Sequence, residues 1–255
     1  MKNSADVGFL VWSMVKRDFL IRYRQTKLGI LLAIAPAAGT TLVFTFLLGK
    51  VAKLDSGTVP YAAYVVTGVI SWQFLTRVAT ESVGIFRANA YLIQKTTTPK
   101  YIFLIVSAIN ALIDFFFSVL LAILLVYLSG GKCSWNLLIL PFFFIFLLVE
   151  GFSFTFLLSV FGLRYRWLGS ILPLFLQIMM YSTPAVYPSS SLPTSIKHLA
   201  EWNPLSAIPE LSRLVILGSH INFKPILVLS VISPFTLLIG YALFVREGKV
   251  VADYV

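Results

Sequence analysis

Few side chains of this 255-residue sequence have the type and spacing that acid–base, nucleophilic or metal chemistry requires. The two histidines, His198 and His220, and the single cysteine, Cys133, do not form any of the short motifs that bind zinc. The sequence also lacks a G-x-S-x-G nucleophile turn and the G-x-x-x-x-G-K-[ST] loop that cradles ATP phosphates. We therefore predict no catalytic residue, no metal and no cofactor in this chain. If its activity uses ATP and Mg²⁺, a partner must bind them.

The strongest candidates for chemistry are four ionisable residues inside long apolar stretches: Arg77, Glu81, Asp114 and Glu150. A charge near the bilayer centre costs at least about 2.5–3.5 kcal/mol and usually faces a bundle interior or a cavity. Arg77 and Glu81 share a helix face, which indicates either an ion pair within one helix or a gating contact at the cytoplasmic mouth. Asp114 and Glu150 indicate either a bridge to a polar group of a neighbouring helix or proton coupling. Proton coupling is the weaker interpretation, because no second carboxyl lies within a helical turn of either residue.

The composition indicates what surrounds these charges. Hydrophobic residues make up 58% of the chain and charged residues 12%, whereas soluble domains are about 45–50% apolar and about 25% charged. A water-soluble fold could not bury this much apolar surface, so we predict an integral membrane protein. The net charge of +10 would suggest nucleic-acid binding in a soluble protein, but here it places basic residues at the membrane face. We expect no nucleic-acid partner.

Six stretches reach the roughly 20 apolar residues that a membrane-spanning helix needs. They are residues 28–49, 61–86, 101–128, 135–163, 167–187 and 223–245. We therefore predict an all-α membrane protein with a cytoplasmic N-terminal arm at residues 1–27 and a transmembrane domain at residues 28–255. The excess of Lys and Arg in the inner segments places both termini in the cytoplasm. A cleaved signal sequence is not predicted, because the first apolar run continues well past its A-x-A motif.

Two connections are too long to be simple turns. Residues 188–222 form an outer segment of mixed polarity, and a structureless loop of that length is unusual in a compact domain. We predict short helices there, lying at or dipping into the outer leaflet. Residues 88–100 form the only long inner connection, for which we predict a short helix over Tyr91 to Gln94 that breaks before Pro99.

Several stretches, taken in order, resemble a known family. They are RDFLIRYRQTKLGILLAIAPAAGTTLVFTFLLGKVAK, VPYAAYVVTGVISWQFL, NAYLIQKTTTPKY, LLSVFGLRYRWLGSILPLFLQIMMYSTPAVYPSSSLP and EWNPLSAIPELSRLVILG. The resemblance is to the permease subunits of type 2 ABC transporters that export O-antigen, capsule or teichoic acid. It implies a homodimer in the bacterial cytoplasmic membrane, bound to two ATPase subunits. The implied substrate is a glycan linked to polyprenyl pyrophosphate.

The same resemblance implies roles for particular segments. The arm from Trp12 to Lys27 corresponds to an interfacial helix, whose second apolar face could contact the bundle or the ATPase. Residues 188–222 correspond to outer gate helices. The coupling helix that docks into the ATPase corresponds to residues within the inner connection. These are Asn89, Tyr91, Leu92, Gln94 and Lys95.

Substrate entry and passage have their own candidates. Arg22 and Arg24 precede the first span, where they could meet lipid phosphates, the ATPase or the pyrophosphate of an entering substrate. Aromatic rings suit the apolar faces of sugars, so some of the aromatic residues could line a glycan path rather than only pack. These candidates are Tyr64, Trp72, Phe74, Phe175 and Tyr181.

One loop departs from the family pattern, which commonly reads R-Y-R-D. Here Trp167 follows Arg166, so the carboxylate that would pair with an arginine is missing. Either the pair is lost, leaving Arg164 and Arg166 for lipid phosphates, or another acid takes its place. Two further functions stay open from the sequence. They are an ABC exporter of drugs or lipids, and a membrane enzyme acting on lipid-linked sugars, which would need clustered acids or histidines at one membrane face.

Overall fold

The computed structural model describes residues 4–24, 29, 31–54, 57, 59–96, 98–192 and 194–247. The predicted boundary between residues 27 and 28 and the side chain of Arg24 lie outside the described residues. Within these ranges every regular element is helical. The α-helices are α1 (Ser4–Phe19), α2 (Leu31–Phe44), α3 (Tyr61–Ala88), α4 (Ala90–Lys95), α5 (Tyr101–Leu128), α6 (Leu140–Arg164), α7 (Leu168–Ser182), α8 (Thr194–Trp202), α9 (Ala207–Leu217) and α10 (Phe223–Glu247). Wider π-type turns, Leu20–Arg24 and Thr45–Val51, extend α1 and α2, and single 3₁₀ turns lie at Trp135–Ile139, Ser189–Ser191 and Pro204–Ser206.

Helix α3 lies at the centre of the bundle, where it packs against α2, α5, α6, α7 and α9. Its apolar side chains Val65 and Val66 are fully buried. The buried hydroxyls of Ser71 and Ser82 donate to backbone carbonyls one turn earlier in the same helix. Because protein rather than lipid surrounds α3, this helix can carry more polar groups than a helix that faces the bilayer.

Among the residues that the structure describes, four helical segments are long and apolar enough to cross a membrane: Ile34–Val51, Tyr101–Leu128, Trp135–Arg164 and Phe223–Glu247. Helix α3 has the necessary length, at 28 residues, but a more polar composition that its central position explains. The protein is therefore an all-α membrane protein, as its composition predicts. A count of six spans stays a prediction.

The helix in the fifth predicted span is shorter than residues 167–187, because α7 has 15 residues and ends at Ser182. It extends about 22 Å, less than the roughly 30 Å of a bilayer core. Thr183 is extended because it precedes Pro184, whose ring disfavours a helical conformation in the residue before it. The buried irregular segment that follows packs against α3 at Gly68, where a Cβ would overlap the carbonyl group of Ala185.

The outer segment, residues 188–222, contains the short helices that its sequence predicts, since α8 and α9 lie there with two 3₁₀ turns. Arg213 in this segment is not an exposed surface cation, because only 2% of the residue is exposed. Its Nη1 donates to the carbonyl oxygen of Pro184 at 2.9 Å, and its Nη2 donates to that of Ala185 at 2.5 Å. Its guanidinium also lies 3.9 Å from the ring centroid of Tyr64 on α3. Arg213 therefore fastens α9 to the irregular segment after α7 and to α3.

The N-terminal helix α1 lies along α5 and begins earlier than the predicted Trp12. Val15 is buried against α5, whereas Trp12 points away from the bundle. Leu10 and Met14, on the second apolar face, also pack against the bundle. Between α1 and α2, Gly29 adopts a φ of 45°, a left-handed conformation that glycine accepts without steric cost.

Candidate functional site

A cavity of about 740 Å³ lies inside the bundle, bounded by α2, α3, α5, α7 and the turn Leu20–Arg24. Each of these elements contributes polar or charged side chains to the lining. The main ones are Arg22, Thr40, Gln73, Arg77, Asp114 and Gln177. Most of the remaining lining is apolar, with Trp72, Phe74, Phe115 and Met180 among its members. A water-sized or larger polar molecule can therefore lie beside charged groups within a largely apolar wall.

Three of the four predicted intramembrane charges meet at this cavity. The Arg77 guanidinium forms a salt bridge with the Asp114 carboxylate of α5. Its Nε also lies 3.1 Å from Glu81 Oε1, one turn along α3. The structure thus contains both the ion pair within α3 and the bridge from Asp114 to a neighbouring helix that the sequence allowed. Because Arg77 has two carboxylate partners, its charge is compensated inside the bundle.

Arg22 reaches the same cluster from the turn after α1. Its Nη2 lies 3.1 Å from Glu81 Oε1, and its Nη1 lies 3.6 Å from Asp114 Oδ2. The neighbouring Tyr23 hydroxyl donates to Asp114 Oδ1. Burial raises the pKa of Tyr23, which keeps the phenol protonated and able to donate. Arg22 and Tyr23 therefore tie the N-terminal helix to α3 and α5 from inside the bundle rather than from the headgroup surface.

A second crevice of about 410 Å³ lies between α1, α3 and α5 and shares Arg22, Thr80 and Glu81 with the cavity. The Arg22–Glu81 ion pair is thus part of the wall between the two spaces. Sequence reasoning missed Asp18 here, which accepts a hydrogen bond from Asn110 Nδ2 at 3.1 Å. The sequence does contain a signal for a polar partner of α5, because Ser107, Asn110 and Asp114 form a polar stripe at helical spacing along this apolar helix.

The five predicted path aromatics do not lie together. Trp72 and Phe74 line the cavity, although each is almost fully buried, at 3% and 4% exposed. Tyr64 lies under Arg213, and its hydroxyl donates to the carbonyl oxygen of Tyr187 at 3.2 Å. Phe175 and Tyr181 are about half exposed on the outer face of α7. The structure thus joins only Trp72 and Phe74 to the charged cluster.

Glu150 lies apart from the other three intramembrane charges, on α6 facing α10. Only 1% of this residue is exposed. The polar side chain that lies beside its carboxyl group is that of Ser233 on α10. The structure therefore does not bring Glu150 into the candidate site.

The inner connection contains the short helix α4, which includes the predicted helix over Tyr91 to Gln94 and extends it by one residue at each end. Asn89 ends α3, and its Nδ2 donates to the carbonyl oxygen of Ile85 at 2.9 Å. Ile93 is buried, and Leu92 packs partly against the same apolar cluster. Tyr91 is 72% exposed, and Gln94 and Lys95 are exposed as well. Helix α4 is thus anchored on one side and presents Tyr91 to its surroundings.

Another acid takes the place of the aspartate that is missing at Trp167. Arg164 Nη2 at the end of α6 donates to Glu247 Oε1 at the end of α10, at a distance of 2.6 Å. Glu247 is buried, whereas Arg164 is half exposed. Of the two alternatives for this loop, the structure supports substitution by another acid for Arg164.

Comparison with known proteins places the chain among transport proteins. A family model described as ABC-2 type transporter matches residues 9–217. The O-antigen export system permease protein RfbA of Klebsiella pneumoniae is 26% identical over 249 residues, covering 96% of this chain and 95% of that protein. The polysialic acid transport protein KpsM of Escherichia coli is 23% identical, covering 92% of each. The O-antigen export system permease protein RfbA of Myxococcus xanthus is 23% identical over 72% of this chain and 70% of its own length.

Proposed function

The chain belongs to the ABC-2 type transporter family, and on that premise we propose that it is the membrane-spanning subunit of an ATP-driven polysaccharide exporter. The observation that carries the proposal is similarity, over nearly the whole length, to permease and transport proteins for O-antigen and polysialic acid. The substrate is a cell-surface glycan linked to polyprenyl pyrophosphate, which moves across the bacterial cytoplasmic membrane. The alternatives of drug export and of an enzyme acting on lipid-linked sugars have no comparable support among these relatives.

In this proposal the chain forms a homodimer with two copies of an ATPase subunit, which binds ATP and Mg²⁺. The sequence itself has no P-loop, so hydrolysis takes place in the partner. Both termini and α4 face the cytoplasm, where Tyr91, Gln94 and Lys95 contact the ATPase. The exposure of Tyr91 supports this role, because a large aromatic side chain on a short anchored helix suits a docking contact.

The fold offers a direct mechanical route from the ATPase to the cavity. Helix α4 follows α3 with only Asn89 between them, and α3 carries Glu81 and Arg77. Arg77 lies about 18 Å along the helix axis from Asn89. Displacement of α4 by the ATPase therefore displaces α3 as a rigid helix. The ion pairs of α3 with Arg22 and Asp114 then transmit the displacement to α1 and α5. This arrangement links nucleotide binding to the shape of the cavity.

Deletion of the gene tests the proposed function. We expect lipid-linked glycan to accumulate inside the cell and surface glycan to disappear, both measurable by glycan staining of fractionated cells. Complementation with the intact gene should restore surface glycan. Normal surface glycan in the deletion strain, or increased drug sensitivity as its only phenotype, would exclude glycan export.

Substitution of Tyr91 tests the coupling role. We expect Tyr91→Ala to leave folding unchanged, because the side chain is exposed, but to reduce export at least about tenfold while ATP hydrolysis continues. The measurement compares ATPase activity of the purified complex with surface glycan in cells. Ile93→Ala is the contrasting variant, since loss of its buried side chain should lower the protein level instead. Normal export by Tyr91→Ala would refute the coupling assignment.

A further inference from the structure

The interface between α6 and α10 contains a buried glutamate that the proposed transport cycle does not use. Glu150 lies near the middle of the apolar segment Trp135–Arg164, about 20 Å along the helix axis from either end. Only 1% of this residue is exposed, and the fully buried Leu147 lies one turn before it on the same helix. The ring of Phe74 on α3 lies against the neighbouring Gly151. The carboxyl group is therefore in a dry, largely apolar part of the bundle.

The hydrogen-bond donors beside this carboxyl group are few. The hydroxyl of Ser233 on α10 lies next to it and is buried as well. Ser153 also faces α10, but its hydroxyl already donates to the backbone carbonyl oxygens of Val149 and Ser233, at 2.9 and 3.2 Å. The residue after Ser233 is Pro234, whose backbone nitrogen has no hydrogen to donate. A single hydroxyl cannot replace the water that stabilises an ionised carboxylate.

The cations of the helices that pack against α6 do not compensate Glu150 either. Helix α7 carries no charged residue, and the charged residues of α3, α5, α9 and α10 are Arg77, Glu81, Arg87, Asp114, Glu210, Arg213, Lys224, Arg246 and Glu247. Arg77 pairs with Asp114 and Glu81, and Arg213 lies against Glu210 and two backbone carbonyls. Lys224 and Arg246 are nine and thirteen residues from Ser233, which is about 14 and 20 Å along α10. Arg87 and Arg164 lie at the cytoplasmic ends of α3 and α6.

These surroundings suit a neutral carboxylic acid better than a carboxylate. An ionised carboxylate buried without a cation is so costly that such a group normally takes up a proton instead. A protonated carboxyl group offers one O–H donor and one C=O acceptor, and the hydroxyl of Ser233 offers the matching acceptor and donor. The two side chains can therefore satisfy each other across the interface once Glu150 is neutral.

We propose that Glu150 carries a proton in the folded protein and that this neutral acid joins α6 to α10 through a hydrogen bond with Ser233. Of the two interpretations that the sequence allows for Glu150, this is the bridge to a neighbouring helix rather than proton coupling. Ionisation would place an uncompensated charge between the two helices, so the interface weakens as the pH rises. The inference does not depend on which substrate the protein transports.

Infrared difference spectroscopy of the purified protein tests whether Glu150 is protonated. The C=O stretching band of a protonated carboxyl group is separate from the bands of carboxylates and of backbone amides. At neutral pH we expect Glu150→Gln to lose the intensity of one protonated carboxyl group. Glu247→Gln is the matched control, because Glu247 is a buried glutamate of the same interface whose carboxylate accepts a hydrogen bond from Arg164 at 2.6 Å. This control should leave the band unchanged.

Thermal unfolding in detergent, followed as a function of pH, measures the contact itself. At neutral pH, Glu150→Gln should unfold within about 2 °C of the unsubstituted protein, because a neutral amide also has one donor and one acceptor to offer Ser233. As the pH rises, the unfolding temperature of the unsubstituted protein should fall further than that of Glu150→Gln, since only the former has an acid to ionise at this place. An unchanged infrared band in Glu150→Gln, or an equal alkaline loss of stability in both proteins, would overturn the inference.

Substitution of the partner residue supplies an independent measurement. Ser233→Ala leaves the Glu150 carboxyl group without its hydroxyl and should lower the unfolding temperature at neutral pH. Ser159→Ala is the matched control and should lower it less, because this buried hydroxyl donates within α6, to the carbonyl oxygen of Phe156 at 3.0 Å. Equal effects of the two serine substitutions would contradict a hydrogen bond between Glu150 and Ser233.

Export in cells separates a permanent contact from proton coupling. Because the proton stays on Glu150 throughout transport in this proposal, Glu150→Gln should deliver surface glycan at the normal rate. Loss of export by a stable Glu150→Gln protein would show that the proton has to move, and it would overturn the permanent contact. Glycan export itself is judged separately, by the deletion strain.

Discussion

Asp114→Ala is expected to destabilise the protein by about 3–5 kcal/mol, the usual cost of removing one partner from a buried ion pair. The side chains of Asp114 and Arg77 are 11% and 22% exposed, so solvent does little to compensate the charge left behind. Arg22 loses a carboxylate as well, and Tyr23 loses its acceptor. The expected results are a large drop in unfolding temperature in detergent, followed by tryptophan fluorescence, and a lower yield of folded protein.

The partner substitution separates pairing from a simple loss of packing. Arg77→Leu combined with Asp114→Leu should destabilise the protein by less than the sum of the single changes, since neither charge is then left alone. Lys224→Ala is the matched control, because the Lys224 side chain is 46% exposed in its pair with Glu201 and its loss should matter little. A near-normal unfolding temperature for Asp114→Ala would contradict the ion-pair account, as would full additivity in the double variant.

Arg213→Ala is expected to release the outer segment and to destabilise the protein by about 3–5 kcal/mol. The change leaves the carbonyl oxygens of Pro184 and Ala185 without their donor, and it removes the cation from the face of Tyr64. It also leaves Glu210 without the guanidinium that lies 3.7 Å from its carboxylate. Burial raises the pKa of Glu210, and Arg213 opposes that shift, so the two residues depend on each other.

Protease access from the outer side measures this effect. In spheroplasts, Arg213→Ala should make residues 188–222 cleavable at concentrations that leave the unsubstituted chain intact. Arg213→Lys should lie between the two, because a single ammonium group cannot reproduce a planar guanidinium that bonds two carbonyls and covers a ring. Lys197→Ala, an exposed change in the same segment, should have no effect. Equal protection in Arg213→Ala would show that other contacts hold the segment.

Much of the architecture follows from local sequence pattern. Helix α5 has the bounds predicted for the third span, because a long apolar run between a proline-containing turn and a glycine pair leaves little choice. The short helices of the outer segment and α4 were also expected, because both connections are too long to be simple turns. The exception in α7 has a local cause as well, since the proline after Thr183 ends the helix early.

The sequence by itself determined the class of protein and the order of its long apolar helices, and it singled out four charged residues within apolar stretches, because these features depend on apolar length and local spacing. The tertiary structure decided which charges meet. Arg22 and Glu81 are 59 positions apart, and Tyr23 and Asp114 are 91 apart. Contacts over such distances depend on how the helices pack, and helical periodicity carries no information about which faces oppose each other. Because of this packing, Arg22 lies inside the bundle, Arg213 is buried, and Glu150 is separate from the charges around the cavity.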